Sequence, residues 1–457
     1  MRFSELEDAR VGVWGAGREI ASLARRLNER LPGARIMVVA LDGEAPRGAL
    51  DALGASGAEL VGPERAPAAL SGCDVVVRSP GVSIHRPELR AVREAGVPIT
   101  TATSLWLAER GGERVVGVTG TKGKSTTAAL LAHLLRASGE TALLAGNIGV
   151  PALELLDADP SATVVLELSS YQIADLERGP RVAVVTNIYR EHLDWHGSTE
   201  RYREEKLRLL DLPGVECCVL NGRDEVLRAT APRAPRVLQF GVPGGWDVEA
   251  DGLCFRGAPM IEASALPLLG EHNMLNACAA LTALQALDIS PPPAAALRDF
   301  EPLEHRLQTV IDSDGVIWVD DSISTTPESA IAALDAFRGR PVVLLAGGQE
   351  RDQDFSELAA AIARRAERPD AAAMLLAIPT TGPRLAGAAL GAGTPPGLVQ
   401  NASDLADAVT RAAALAREGG VVVLSPAAPS FDSFRDFVQR GERFRELAAA
   451  TLAARRG

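Results

Sequence analysis

Val115-Val116-Gly117-Val118-Thr119-Gly120-Thr121-Lys122-Gly123-Lys124-Ser125-Thr126 is the most informative stretch of this 457-residue chain. The apolar run Val115 to Val118 reads as a buried strand, and Ser125 to Leu135 has helical spacing. Glycines at 120 and 123 let backbone N–H groups turn toward a phosphate, and the start of the helix adds a favourable dipole. Lys124 can reach the β- and γ-phosphates, and the Ser125 hydroxyl can ligate Mg²⁺. Val118 stands where the strict Walker pattern has its first glycine. A plain glycine turn is the competing reading. Strand, helix and Gly123-Lys124-Ser125-Thr126 together favour a nucleotide phosphate, with Gly120, Thr121, Lys122 and Gly123 forming the loop.

Outward from this loop, short apolar runs alternate with helical, alanine-rich stretches. Val11 to Trp14, Ile36 to Val39 and Asp74 to Val77 precede it. Ala162 to Glu167 and Val182 to Val185 follow. A third set comprises Val316 to Val319, Pro341 to Leu345 and Gly420 to Leu424. This rhythm predicts βαβ units and parallel sheets. The expected class is α/β with three domains. These are a Rossmann-like domain over 1–111, a central P-loop domain with a mainly parallel sheet over 112–302, and a Rossmann-like domain over 303–457. Ala448 to Arg456 is expected to form a terminal helix, and no solenoid repeat is found.

Apolar residues make up 47% and charged residues 23%, the balance of a soluble globular protein. The net charge of -12 argues against general binding to nucleic acid or anionic membrane, since phosphate surfaces repel an acidic protein. Five scattered cysteines without a Cys-x-x-Cys pair point to a reducing compartment. The N-terminus carries acids where a signal peptide would carry bases, and no run approaches a membrane span. A cytoplasmic monomer is expected.

Other residues are ambiguous alone. Glu167 ends a strand, where a carboxylate of a parallel sheet lies on the ligand side and suits a hard cation. A solvated acid is equally consistent with that segment. His192 could ligate a second metal, although a lone histidine is more often structural. Lys206 looks like an ordinary helix-face lysine. Gly15-Ala16-Gly17-Arg18 is a tight turn after a strand and weak evidence for a dinucleotide.

The phosphate loop, Asn147-Ile148-Gly149, Glu167-Leu168-Ser169-Ser170, Glu191-His192-Leu193-Asp194, Lys206, His272-Asn273 and His305-Arg306 occur in the order seen in the Mur ligases, and the chain resembles that family over nearly its whole length. The resemblance implies ATP and two Mg²⁺ ions. Lys124, Glu167, His192 and Lys206 would be catalytic, and Ser125, Glu167, His192 and a carbamylated Lys206 would hold metal. Gly120 to Thr126, Asn273, Arg306 and Asp321 would serve the nucleotide. Gly15, Arg18, Ser79, Gly81, Asn147 and Ser169 would contact a UDP-N-acetylmuramoyl-L-alanine substrate. Thr325, Arg351, Ser430 and Phe437 would contact glutamate. The implied reaction phosphorylates the alanine carboxylate, and the amine of glutamate then attacks the acyl phosphate. Closure of the third domain would exclude water.

Two stretches depart from the D-glutamate pattern. Asp321-Ser322-Ile323-Ser324-Thr325-Thr326-Pro327 lacks the usual lysine at 323 and gains Pro327. Ser425-Pro426-Ala427-Ala428-Pro429-Ser430 gains Pro429. Arg351 replaces a lysine but keeps the charge. With Thr121-Lys122, these features resemble the members that add L-glutamate, whose product a separate epimerase inverts. D-glutamate is the alternative. Remoter rivals are a folate polyglutamate synthase, an NAD-dependent oxidoreductase and a catalytically inactive ATP-binding regulator. The first leaves residues 1 to 111 without a use. The second leaves the phosphate loop, Glu167 and Lys206 unexplained.

Overall fold

The computed structural model describes residues 1–42, 53, 57–189, 193–249, 252–263, 266–267, 270–292, 294–351 and 353–456. The chain divides into two compact units. The first comprises Met1–Leu266 with Asn273–Phe300, and the second Pro267–His272 with Glu301–Gly457. The first two expected domains thus lie in one unit, as two separate parallel sheets.

One sheet of the first unit runs Glu59–Val61, Arg35–Ala40, Arg10–Trp14, Val75–Arg78, Ile99–Thr100 in spatial order, all parallel. The other runs Arg236–Phe240, Cys217–Asn221, Val182–Val185, Val115–Thr119, Thr163–Glu167, Ala142–Gly146, also all parallel. Val115, Val116 and Val118 are buried, as are Val164, Val165 and Val182 to Val185. β-Branched residues covered on both faces make the unbroken apolar runs of a helix-sandwiched parallel sheet. From Val115–Thr119 the chain first fills one side of the sheet, the edge Ala142–Gly146 and then Thr163–Glu167, and from Val182–Val185 onward it fills the other, which places the phosphate loop at a topological switch point.

A small antiparallel meander, Trp246–Glu249, Gly252–Phe255 and Ala258–Glu262, was not expected from the sequence. Its strands are short and its last strand is mostly exposed, so its alternation is faint.

The second unit has the sheet Gln308–Ser313, Val316–Asp320, Val421–Leu424, Val342–Ala346, Ala373–Ala377, Val399–Asn401. Only the edge strand Gln308–Ser313 is antiparallel. The expected terminal helix is the end of a longer one, Phe437–Arg456, whose Phe444 and Ala448 pack into the core beside Trp318. Among the described residues no helix is long and apolar enough to cross a membrane.

Candidate active site

The strand Val115–Thr119 ends at Gly120, and Gly123 caps the helix Lys124–Ala137. Gly120 and Gly123 have φ of 146° and 83°. A Cβ at Gly120 would lie 1.9 Å from Thr186 Oγ1, and one at Gly123 2.2 Å from Asn276 Oδ1. Both positions therefore require glycine, for backbone angle and for space.

The end of the neighbouring strand holds the loop in place. Thr121 N donates to Asn187 O (2.8 Å), and Lys122 N donates to Asn187 Oδ1 (2.7 Å). Thr186 Oγ1 and Asn187 Nδ2 donate to Lys122 O at 2.5 and 3.0 Å. The sequence reading missed Asn187; its signal was a polar residue just past the end of the central strand Val182–Val185. Lys124 Nζ donates to Thr121 O at 2.9 Å. On another side, Lys206 Nζ donates to Gly120 O (2.8 Å), and Tyr202 OH bonds Thr121 Oγ1 (2.7 Å). Lys206 is 2% exposed, so the ordinary helix-face reading is wrong for it.

Glu167 lies beside Val118 in the sheet register and is 0% exposed. Its Oε1 accepts from Asn147 Nδ2 at 2.9 Å, while Oε2 has no hydrogen-bond partner among the described residues. A buried carboxylate oxygen without a donor is costly unless a cation takes it. Glu167 therefore fits a Mg²⁺ ligand, as does the Ser125 hydroxyl at the helix start. His192 lies outside the described residues. Among the described residues no group of three or more His, Cys, Asp or Glu gathers as a metal centre. Asn273 Oδ1 accepts from Asn276 Nδ2 (3.1 Å), and Asn276 flanks Gly123, so Asn273 stands one residue removed from the loop.

Gly15 and Ser79 meet at the carboxyl ends of adjacent strands. Ser79 N donates to Trp14 O (2.7 Å), and a Cβ at Gly15 would lie 2.7 Å from Ser79 Cβ. Gly81 is exposed just beyond. Arg18 opens the helix Arg18–Arg30 behind the turn at Gly15. Its guanidinium donates to Gly146 O, Asn147 O and Gly149 O at 2.9–3.1 Å and braces the Asn147 turn. Ser169 caps the helix Ser170–Ile173 and donates to Gln172 Oε1 (2.9 Å). Gln172 Nε2 in turn donates to Glu19 Oε1 (2.7 Å). Burial pushes the Glu19 carboxyl up, against hydrogen bonds from Gln172 and Thr103.

In the second unit, Asp321 is 2% exposed. Its Oδ1 accepts from Leu307 N (3.1 Å) and its Oδ2 from Ser425 Oγ (2.7 Å). Burial raises its pKa to about 6, against hydrogen bonds from Ser324 and Ser425. A ribose contact would require it to exchange these partners. Arg306 is half-buried with its Nε unpartnered among the described residues. Arg351 is exposed, and its guanidinium lies 5.9 Å from the Phe431 ring centre. Ser430 is buried, Thr325 half-buried, and the Phe437 carbonyl accepts from Ser322 Oγ (2.8 Å).

The Mur ligase middle domain matches residues 118–284, and the Mur ligase glutamate ligase domain matches 305–428. A Xanthomonas campestris pv. campestris (strain 8004) protein named UDP-N-acetylmuramoyl-L-alanine--L-glutamate ligase is 41% identical over 470 residues, covering 99% of this chain and 98% of that one. The chain belongs to the Mur ligase family. A Micromonospora relative of the same name is 42% identical over 463 residues, covering 99% of each. A Thermotoga maritima MurF ligase solved with ADP shares the fold at TM-score 0.59 and 18% identity, covering 100% of this chain and 97% of that one. MurC from the same organism does so at 0.58 and 19%, covering 97% and 100%.

In this Mur ligase the two departing stretches are one feature. Ala427 N donates to Ser324 O (3.0 Å). Arg440, 3% exposed and unnoticed in the sequence, donates from Nε to Ser322 Oγ (3.0 Å), from Nη2 to Ser322 O (2.8 Å) and from Nη1 to Ala428 O (3.0 Å). One buried guanidinium thus ties both loops. Pro327 occupies the first turn of the helix Pro327–Ala336 behind the cap Thr326, where its missing N–H costs nothing. Arg440→Met is expected to destabilise the chain by about 3 kcal/mol, because buried carbonyls lose charged donors, as thermal unfolding would measure. A midpoint equal to that of the unchanged chain would refute the clamp.

Proposed function

We propose that this protein joins L-glutamate to UDP-N-acetylmuramoyl-L-alanine, with ATP converted to ADP and phosphate. The observation that carries this reading is the half-buried phosphate loop with Lys124 and a buried Glu167 oxygen, unpartnered among the described residues, beside it, in a chain 41–42% identical along its length to ligases of that name. Residues 1–111 would take the UDP-linked substrate at Gly15, Ser79 and Gly81, residues 112–302 the ATP, and residues 303–457 the glutamate through Thr325, Arg351, Ser430 and Phe437. Asn147 and Ser169 would contact the muramoyl substrate, and Asn273, Arg306 and Asp321 the nucleotide.

A carboxylate is a poor acyl donor because its leaving group would be oxide. Transfer of the γ-phosphoryl to the alanine carboxylate gives an acyl phosphate, and attack by the glutamate amine releases phosphate. Lys124 Nζ would trade the Thr121 carbonyl for a phosphate oxygen, so no buried cation is left unpaired at any stage. Ser125, Glu167, His192 and a carbamylated Lys206 would hold Mg²⁺, which when bound supplies positive charge against the phosphoryl oxygens. The loop glycines let the backbone turn its N–H groups toward the phosphate while packing against Thr186 and Asn276. A cytoplasmic site and a separate epimerase acting on the product complete the proposal.

The test is phosphate release from ATP, Mg²⁺ and UDP-N-acetylmuramoyl-L-alanine, with L- and D-glutamate supplied separately. Release dependent on L-glutamate is expected. Preference for the D form would reject the stereochemistry, and no dependence on either would reject the ligase. For the carbamate, Lys206→Ala is expected to lose about 100-fold or more in rate, with partial return on adding bicarbonate as a free anion that takes the place of the lost carbamate without forming one. A rate for Lys206→Ala equal to that of the unchanged enzyme would rule the role out.

A further inference from the structure

The helix Thr199–Leu207 delivers Lys206 to the phosphate loop, yet only Tyr202 and Lys206 of its residues are buried. So small an apolar face cannot fix the rotation of a helix by packing, and polar links must do it. Ser198 caps its start, accepting from Arg201 N. Tyr202 and Lys206 reach the loop. A further link is Glu205, next in sequence to Lys206. Its Oε2 pairs with His196 Nδ1 at 2.6 Å and its Oε1 with His85 Nε2 at 2.5 Å. His196 is fully buried and its Nε2 bonds Ser170 Oγ at 3.0 Å.

The two ends of this chain are informative. Ser170 follows Ser169 and starts the helix three residues past Glu167. His85 belongs to the segment after Ser79 and Gly81, where Ser83 Oγ also donates to Trp195 O (2.9 Å). One carboxylate therefore joins three parts of the first unit: the loop after Val75–Arg78, the helix start after Thr163–Glu167 and the Lys206 helix. A partly buried carboxylate held by two imidazoles is directional and stiff.

We infer that Glu205, held by His85 and His196, is a positioning residue that sets the reach of Lys206 to the phosphate loop. The inference rests on the proposed role of Lys206 in ligation. Outer-shell groups of this kind orient the groups that touch substrate or metal.

The experiment uses the full chain with Glu205→Ala and, separately, His85→Ala, whose site is partly exposed and tolerant of truncation. Steady-state kcat and KM for ATP are measured. In bicarbonate-free buffer without substrates, the rate of Lys206 acetylation by an amine-reactive reagent is followed by peptide mass spectrometry. The expected result is a kcat about tenfold lower with KM for ATP within about twofold, and Lys206 acetylated about tenfold faster. Unchanged acetylation in folded variants overturns the inference, even if kcat falls, because general loss of folded enzyme would lower kcat alone. If Glu205→Ala does not fold, His85→Ala decides by the same criteria. Absence of ligation by the unchanged enzyme with either enantiomer would instead defeat the ligase reading, and the acetylation rates would still judge Glu205.

Discussion

Lys124→Met should lower the ligation rate by about 1000-fold, the loss seen when a preorganised charge at a developing oxyanion is removed. Phosphoryl transfer leaves the protein little covalent work, so position and charge carry most of the acceleration. Met keeps the length and the apolar stem of the side chain while deleting the ammonium. The fold should hardly notice. The bond to the Thr121 carbonyl is worth about 2 kcal/mol net. The loop keeps its bonds from Thr186, Asn187, Tyr202 and Lys206. Phosphate release and a thermal melt on the same sample check both halves. A rate within tenfold of the unchanged enzyme would remove Lys124 from the chemistry.

Glu167→Gln should separate function from stability. The Asn147 bond survives, because the amide oxygen can replace Oε1. What disappears is a fully buried negative charge with one oxygen lacking a donor among the described residues. Relieving it is expected to raise stability by about 1 kcal/mol, the usual gain when a functional site gives up its strain. Activity should fall by about 100-fold or more, because a neutral amide is a far weaker Mg²⁺ ligand. The melting midpoint and the rate should therefore move in opposite senses. Added Mg²⁺ should recover part of the rate, since weaker coordination is offset by concentration. A destabilised Glu167→Gln with unaltered Mg²⁺ dependence would mean that the carboxylate is structural.

The phosphate loop was legible in the sequence because its demands are local. Gly120 and Gly123 are required by φ and by close neighbours, and the strand and helix on either side carry their own periodicity. The parallel sheets were legible for the same reason: a strand buried on both faces is an unbroken run such as Val182 to Val185. The partners of the loop were not. Asn187, Asn276 and Tyr202 act across the fold, and no spacing announces a contact between residues 121 and 202. Lys206 shows the limit most clearly. Its helix is polar throughout, so pattern alone made it a solvated lysine, and only the resemblance to the Mur ligases singled it out. The partners of Arg18 were hidden in the same way: its guanidinium reaches the backbone carbonyls of Gly146, Asn147 and Gly149, far along the chain. The meander at Trp246–Glu262 was missed because its strands are brief and largely one-sided.

The division of the chain into units has a practical sequel. Pro267–His272 belongs with Glu301–Gly457, although Asn273–Phe300 returns to the first unit. Within that second unit a Cβ on Gly270 would meet both His272 and Ala336, and burial next to the Arg306 charge holds the His272 imidazole near a pKa of about 4. A hybrid enzyme assembled by one splice near residue 300 would therefore join a foreign second unit to a resident peptide that had packed against its predecessor. Exchanging the whole second unit between relatives calls for three joins, at 266/267, 272/273 and 300/301, the middle one inside the first turn of the helix Glu271–Ala286, so that the short insert travels with the unit it packs against.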